Sequence, residues 1–151
     1  MLLIILTIVF LLLDQLSKYI IINYLNRDII IIKNFFYLIY TKNNGAAFSI
    51  FTGKRLLLIV ITTLIIGFLI HYVIKNKINN KLEVISFSLV IGGSLGNLID
   101  RVVRGYVIDF VSIKIFGYSF PIFNVADTFI CIGIFLLLIV HLRKEKNHDN
   151  R

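Results

Sequence analysis

Four apolar stretches long enough to cross a bilayer constrain this sequence more than any other feature. A helix rises about 1.5 Å per residue, so about 20 apolar residues traverse the roughly 30 Å of hydrocarbon in a membrane. Such stretches run from about Leu2 to Leu25, Leu56 to Ile74, Val84 to Ile99 and Phe123 to Leu142. The expected fold is therefore mainly α, a polytopic membrane protein whose four-transmembrane-helix bundle forms one embedded domain over residues 1–151. Leu2 to Leu13 alone could be a cleavable signal sequence, but it has no basic start and no small-x-small cleavage site. Apolar residues resume beyond Lys18, so the helix is expected to be retained.

Composition agrees with lipid as the main solvent: 58% of the 151 residues are hydrophobic, against roughly 45–50% in soluble domains. The formal charge of +8 raises nucleic acid as a partner, yet Lys and Arg fall between the apolar runs without a compact basic face, which argues against it. Cys131 is the only cysteine, so neither an internal disulfide nor a cysteine-based metal site can form. It reads as a core residue. An even number of spans puts both termini on one side. Lys75, Lys77 and Lys81 crowd the connection between the second and third runs, and Arg143, Lys144, Lys146 and Arg151 fill the tail, which makes those sides cytoplasmic by charge density.

Residues 26–55 are too long for a mere connector. Ile29 to Ile32 and Phe35 to Thr41 are β-branched or aromatic, and they end at Asn43-Asn44-Gly45. This reads as a small sheet with a turn, because Asn-Gly tolerates the positive φ values of a type I′ hairpin. In the third run Ser88, Gly92 and Gly96 recur every four residues and would admit a neighbouring helix backbone, while Gly93 lies off that stripe and could leave room for a substrate.

Ionisable groups inside spans are costly, so each needs a reason. Asp14 and Lys18 share a helix face at i,i+4 and can neutralise each other, the arrangement of a structural ion pair. Asp14 lies about eleven residues, or roughly 16 Å, from the far end of its helix, which places the pair below a site at the outer interface. Asp100, with Arg101 beside it and Arg104 one turn on, suits an anchor better than a proton shuttle.

Asp109 and Asp127 differ, for neither has another charged residue within four positions. An apolar setting disfavours ionisation, and two such carboxyls brought together would share one proton, giving an acid and a base able to activate water. For Asp127, helix capping or dipole compensation is the competing reading. His71, His141 and His148 show no i,i+3 or i,i+4 partnering with one another or with carboxylates, and neither a zinc-peptidase His-Glu-x-x-His nor a Gly-x-Ser-x-Gly elbow occurs. Ser17 is adjacent to Lys18 and points elsewhere, which removes a Ser/Lys pair.

Five ordered motifs complete the pattern: Asp14-Gln15-Leu16-Ser17-Lys18, Asn43-Asn44-Gly45-Ala46-Ala47-Phe48, Gly92 through Asn97 to Asp100-Arg101, Val107-Ile108-Asp109-Phe110 and Phe123-Asn124-Val125-Ala126-Asp127. With these, nearly the whole chain resembles the lipoprotein signal peptidase (signal peptidase II) family. The resemblance implies an intramembrane aspartic endopeptidase that removes signal peptides from prolipoproteins, cleaving on the amino side of a diacylglyceryl-modified cysteine without metal or cofactor. Asp109 and Asp127 would be its catalytic pair. Asn43, Gly93, Asn97, Arg101 and Asn124 would be substrate-binding or dyad-supporting, and Asp14 with Lys18 the supporting ion pair.

It further implies a bacterial cytoplasmic (inner) membrane location, an active site at the outer face, and membrane lipids as surroundings of a monomeric enzyme. An extracytoplasmic β-cradle would come from residues 26–55, and a short amphipathic helix would cover the site between the third and fourth spans. One departure is that no basic residue precedes the first span. A small transporter or channel subunit, with Asp14, Lys18 and Asp127 as an ion path, explains the charges but not the motifs. A non-catalytic assembly factor is a third reading.

Overall fold

The computed structural model describes residues 1–45 and 50–149, with side chains as far as Glu145. Four long helices occur among them: α1 (Leu2–Tyr24), α2 (Arg55–Lys75), α3 (Lys81–Val103) and α4 (Val125–Asp149). Each contains an apolar window long enough to span a membrane. Four strands complete the fold, β1 (Ile29–Ile32), β2 (Phe36–Asn43), β3 (Val107–Ile115) and β4 (Tyr118–Ser119).

The helices are not equivalent. Within its apolar window α3 is 72% buried, against 22% for α1, 11% for α2 and 17% for α4, so α3 is the hub and the other three turn their apolar sides outward. Composition explains this, because α3 alone combines small and polar side chains that would be wasted against lipid. Ser88 Oγ reaches Leu3 O at 3.2 Å. A Cβ on Gly92 would stand 2.9 Å from Thr7 O, and one on Gly96 would collide with the Asp14 carboxylate. The Ser88/Gly92/Gly96 stripe is thus the seat of α1, as its four-residue spacing predicts. Asn80 starts the helix by accepting from Leu82 N and Glu83 N at 3.0 and 3.3 Å. Between α2 and α3, Ile66, Val73, Phe87 and Ile91 form one apolar cluster; Ile21, Ile108 and Phe110 form a second under the sheet.

The strands make one antiparallel sheet in the order β1-β2-β3-β4, so half of it comes from the segment between α3 and α4. The expected amphipathic helix between those spans is therefore replaced by strands, because Val107–Ile115 is β-branched through most of its length and pairs with β2. The turn joining β1 and β2 lies at residues 33–35, where Asn34 takes φ 61°. Asn44-Gly45 instead follows the end of β2, and residues 46–49 of that motif lie outside the described residues.

Two smaller expectations also change. Cys131 is exposed on α4 rather than in the core, since apolar residues of an outward-facing helix are covered by lipid and not by protein. His141 does have a carboxylate partner, Glu145 one turn on at 3.3 Å, in a largely exposed pair.

Candidate active site

Asp109 and Asp127 come to the same end of the bundle because the chain between them folds back on itself. Phe123 bridges to Val111, with Phe110 N and Val111 N donating to Phe123 O at 3.0 and 2.8 Å. That pairing brings the start of α4 against the strand that carries Asp109. At the first turn of α4 a reciprocal cap forms: Asn124 Oδ1 accepts from Asp127 N at 2.9 Å, and Asp127 Oδ2 accepts from Asn124 N at 3.1 Å. The competing reading of Asp127 as a capping residue is thus correct, and it coexists with a place beside Asp109.

Asparagine amides join the two carboxyls. Asn124 Nδ2 donates to Asp109 Oδ1 at 2.7 Å and to Asn97 Oδ1 at 3.1 Å, while Asn97 Nδ2 donates to Asp127 Oδ1 at 2.8 Å. Asn43 Nδ2 donates to Asp109 Oδ2 at 2.8 Å. Asn43 pairs with Val107 in the ladder, so it reaches Asp109 along the strand diagonal. Every carboxyl oxygen of the pair therefore accepts a hydrogen bond. The amide orientations are fixed as well, since Asn43 Oδ1 accepts from Gly45 N at 2.9 Å and Asn97 Oδ1 accepts from Lys18 Nζ at 2.9 Å.

The two acids differ in burial. Asp109 is 2% exposed, and burial pushes its carboxyl up from 3.8 to about 6; the charge of Asp127 adds to the rise, whereas hydrogen bonds from Asn43 and Asn124 and the charge of Lys18 oppose it. Asp127 is half-buried. Arg101 spans the rim, donating from Nη1 to Asn97 O at 3.3 Å and from Nη2 to Gly45 O at 3.0 Å, within electrostatic reach of both aspartates.

A model of the family described as signal peptidase (SPase) II matches residues 6–143. The chain belongs to the signal peptidase II family. It is 44% identical over 128 residues to a protein named lipoprotein signal peptidase from Clostridium tetani, covering 84% of this chain and 81% of that one. To proteins of the same name it is 45% identical in Clostridium acetobutylicum, over 83% and 82% of the two chains, and 36% identical in Halalkalibacterium halodurans, over 94% and 92%. Two solved bacterial membrane enzyme structures superpose on it. One has a TM-score of 0.87 at 37% identity, covering 96% of this chain and 90% of that one; the other has 0.83 at 38%, covering 93% and 92%.

Among the residues singled out from this signal peptidase II sequence, Asn43, Asn97, Arg101 and Asn124 gather around Asp109 and Asp127. Gly93 does not open a space for substrate: a Cβ there would stand 2.5 Å from Ala126 O and 3.0 Å from Ile130 Cγ1, so its use is to let α4 seat against α3. Asp14 and Lys18 pair at 2.8 Å, both fully buried. Reading the sequence assigned no role to Gln15, whose Nε2 lies 3.2 Å from each of Asp14 Oδ2, Gly96 O and Asp100 Oδ1 with two hydrogens to share among them, and whose oxygen accepts from Arg104 Nη1. An amide inside an apolar span and its place in the first of the five motifs were its visible signals. The contact of Lys18 with Asp100, at 2.9 Å, was hidden by distance along the chain.

Proposed function

We propose that this chain is a lipoprotein signal peptidase of the aspartic type, cleaving prolipoproteins on the amino side of a diacylglyceryl-modified cysteine with Asp109 and Asp127 as its catalytic pair. The observation that carries the reading is the convergence of two carboxyls, separate in sequence, on one set of asparagine amides at the end of a membrane-spanning bundle. In the proposed reaction the ionised aspartate takes a proton from a water as its oxygen attacks the scissile carbonyl carbon. The protonated aspartate donates to the carbonyl oxygen and then passes its proton to the leaving nitrogen. No covalent intermediate is needed.

The developing negative charge requires a donor aimed beforehand. Asn124 Nδ2 spends both of its hydrogens, on Asp109 and on Asn97 Oδ1, whereas Asn97 Nδ2 gives one to Asp127. Arg101, with five N–H donors of which two hold Asn97 O and Gly45 O, and the second N–H of Asn97 are the candidates for the oxyanion. Lys75, Lys77, Lys81, Arg143 and Lys144 gather at the bundle end opposite the pair, which by the positive-inside tendency supports a reading with both termini in the cytoplasm and the site at the outer face of the membrane. A lipid-bearing cysteine and an apolar signal helix both stay at the bilayer, so an enzyme embedded there meets them without extracting either.

The test is cleavage of a diacylglyceryl-modified prolipoprotein by purified protein in detergent. Loss of product in Asp109→Asn and Asp127→Asn, with both variants folded and substrate still bound, is the expected result. Cleavage by either variant at the parent rate would remove the pair from the chemistry. Transport without cleavage would favour an ion path.

A further inference from the structure

The backbone N–H of the residue before each proposed catalytic aspartate is held by a carboxylate of one buried ion cluster. Ala126 N donates to Asp14 Oδ1 at 3.0 Å, and Ile108 N donates to Asp100 Oδ2 at 3.2 Å. Lys18 Nζ joins the two carboxylates, lying 2.8 Å from Asp14 Oδ2 and 2.9 Å from Asp100 Oδ2. An ammonium carries three N–H donors, and the third contact goes to Asn97 Oδ1 at 2.9 Å, whose own amide donates to Asp127. Arg104 and Gln15 occupy the remaining oxygen of Asp100. Lys18, Asp14 and Asp100 are all 0% exposed.

We propose that Lys18 is a positioning residue for hydrolysis, the centre of a clamp whose Asp14 arm fixes the backbone at Asp127 and whose Asp100 arm fixes the backbone at Asp109. The reading rests on the catalytic pair proposed above. Bundle stability alone does not call for such a cluster, because burying each ion costs several kcal/mol and apolar replacements of buried ion pairs are often neutral or stabilising. The clamp instead spans the two elements whose separation the chemistry depends on. β3 and the start of α4 meet through the Phe123–Val111 bridge, and α1, which makes no other link to the start of α4 among the described hydrogen bonds, adds the tie at Ala126. The same ammonium sets the direction of the Asn97 amide, so that Nδ2 rather than Oδ1 faces Asp127.

Lys18→Met keeps the length and removes the charge; Asp14→Asn and Asp100→Asn each place an amide donor against the ammonium and weaken one arm. Per folded molecule in detergent, each is expected to lower kcat about 10²-fold, the scale of an ångström of misplacement, while KM for a diacylglyceryl-modified prolipoprotein stays within about twofold. Because both arms meet at one lysine, the Asp14→Asn/Asp100→Asn double variant should lose less than the product of the single losses. Unchanged kcat in the folded variants, a loss confined to KM, or fully multiplicative losses in the double variant would each overturn the clamp. If Lys18→Met does not fold, the two Asn variants and their combination still decide it. Inactive Asp109→Asn and Asp127→Asn beside fully active clamp variants would sink the clamp alone; an active Asp109→Asn would sink the catalytic pair, and the clamp with it.

Discussion

Asn124 and Asp127 cap each other at the first turn of α4, and the side-chain amide of Asn124 that is left over by this exchange reaches Asp109 at 2.7 Å. One buried asparagine therefore starts a membrane-spanning helix and joins the two carboxyls of the site.

The two duties of Asn124 can be separated. Asn124→Ala removes both and should lower stability by about 1–2 kcal/mol through the lost cap, with cleavage greatly reduced. Asn124→Ser keeps an oxygen able to accept from Asp127 N but cannot reach Asp109, so its melting temperature in detergent should lie close to the parent while cleavage falls as in the alanine variant. Parallel losses of stability and activity across the two variants would contradict this division.

Helix seating makes Gly93 and Gly67 opposites. A methyl group at residue 93 would press on the α4 backbone at Ala126 O, whereas one at residue 67 meets nothing within 4 Å. Gly93→Ala is expected to cost about 1–3 kcal/mol and to disturb Asp127, while Gly67→Ala should be neutral or slightly stabilising through its helix propensity. Thermal unfolding of both, with cleavage assays alongside, checks the contrast.

Burial chiefly, with the charge of Asp127 adding, pushes the Asp109 carboxyl from 3.8 to about 6 against the hydrogen bonds of Asn43 and Asn124. A raised carboxyl pKa stabilises the folded state fully below the unfolded value, and the contribution is lost as pH climbs from there through about 6. Across that window Asp109 alone should cost the parent protein on the order of 2–3 kcal/mol, because the unfolded chain ionises more readily. Melting temperatures at pH 4.5 and pH 7.5 are expected to differ more in the parent than in Asp109→Asn. Equal slopes for the two proteins would refute the assignment.

At the other end of the bundle Lys144 pairs with Glu83, the lysine side chain 62% exposed and the glutamate 10%. With its lysine in solvent, such a pair contributes about 1 kcal/mol. Lys144→Ala should leave prolipoprotein cleavage at the parent rate and shift the melting temperature by no more than that contribution allows; a large loss of activity would show coupling along α4 that the fold does not suggest.

Local chemistry determined much of this protein. Span-length apolar runs fix four helices, since no other use of those residues satisfies their surfaces, and β-branched stretches such as Ile29–Ile32 fix strands. The isolation of Asp109 and Asp127 from other charges marked them before any contact was known, as did the four-residue spacing of Ser88, Gly92 and Gly96. Tertiary structure decided the rest, because pairing between distant segments is not encoded in spacing along either one. It added β3 to the sheet in place of a helix, turned Cys131 outward and filled the space beside Gly93 with α4. It also drew Lys18 to Asp100, 82 positions away, where a charge buried from water needs every partner the fold can bring to it.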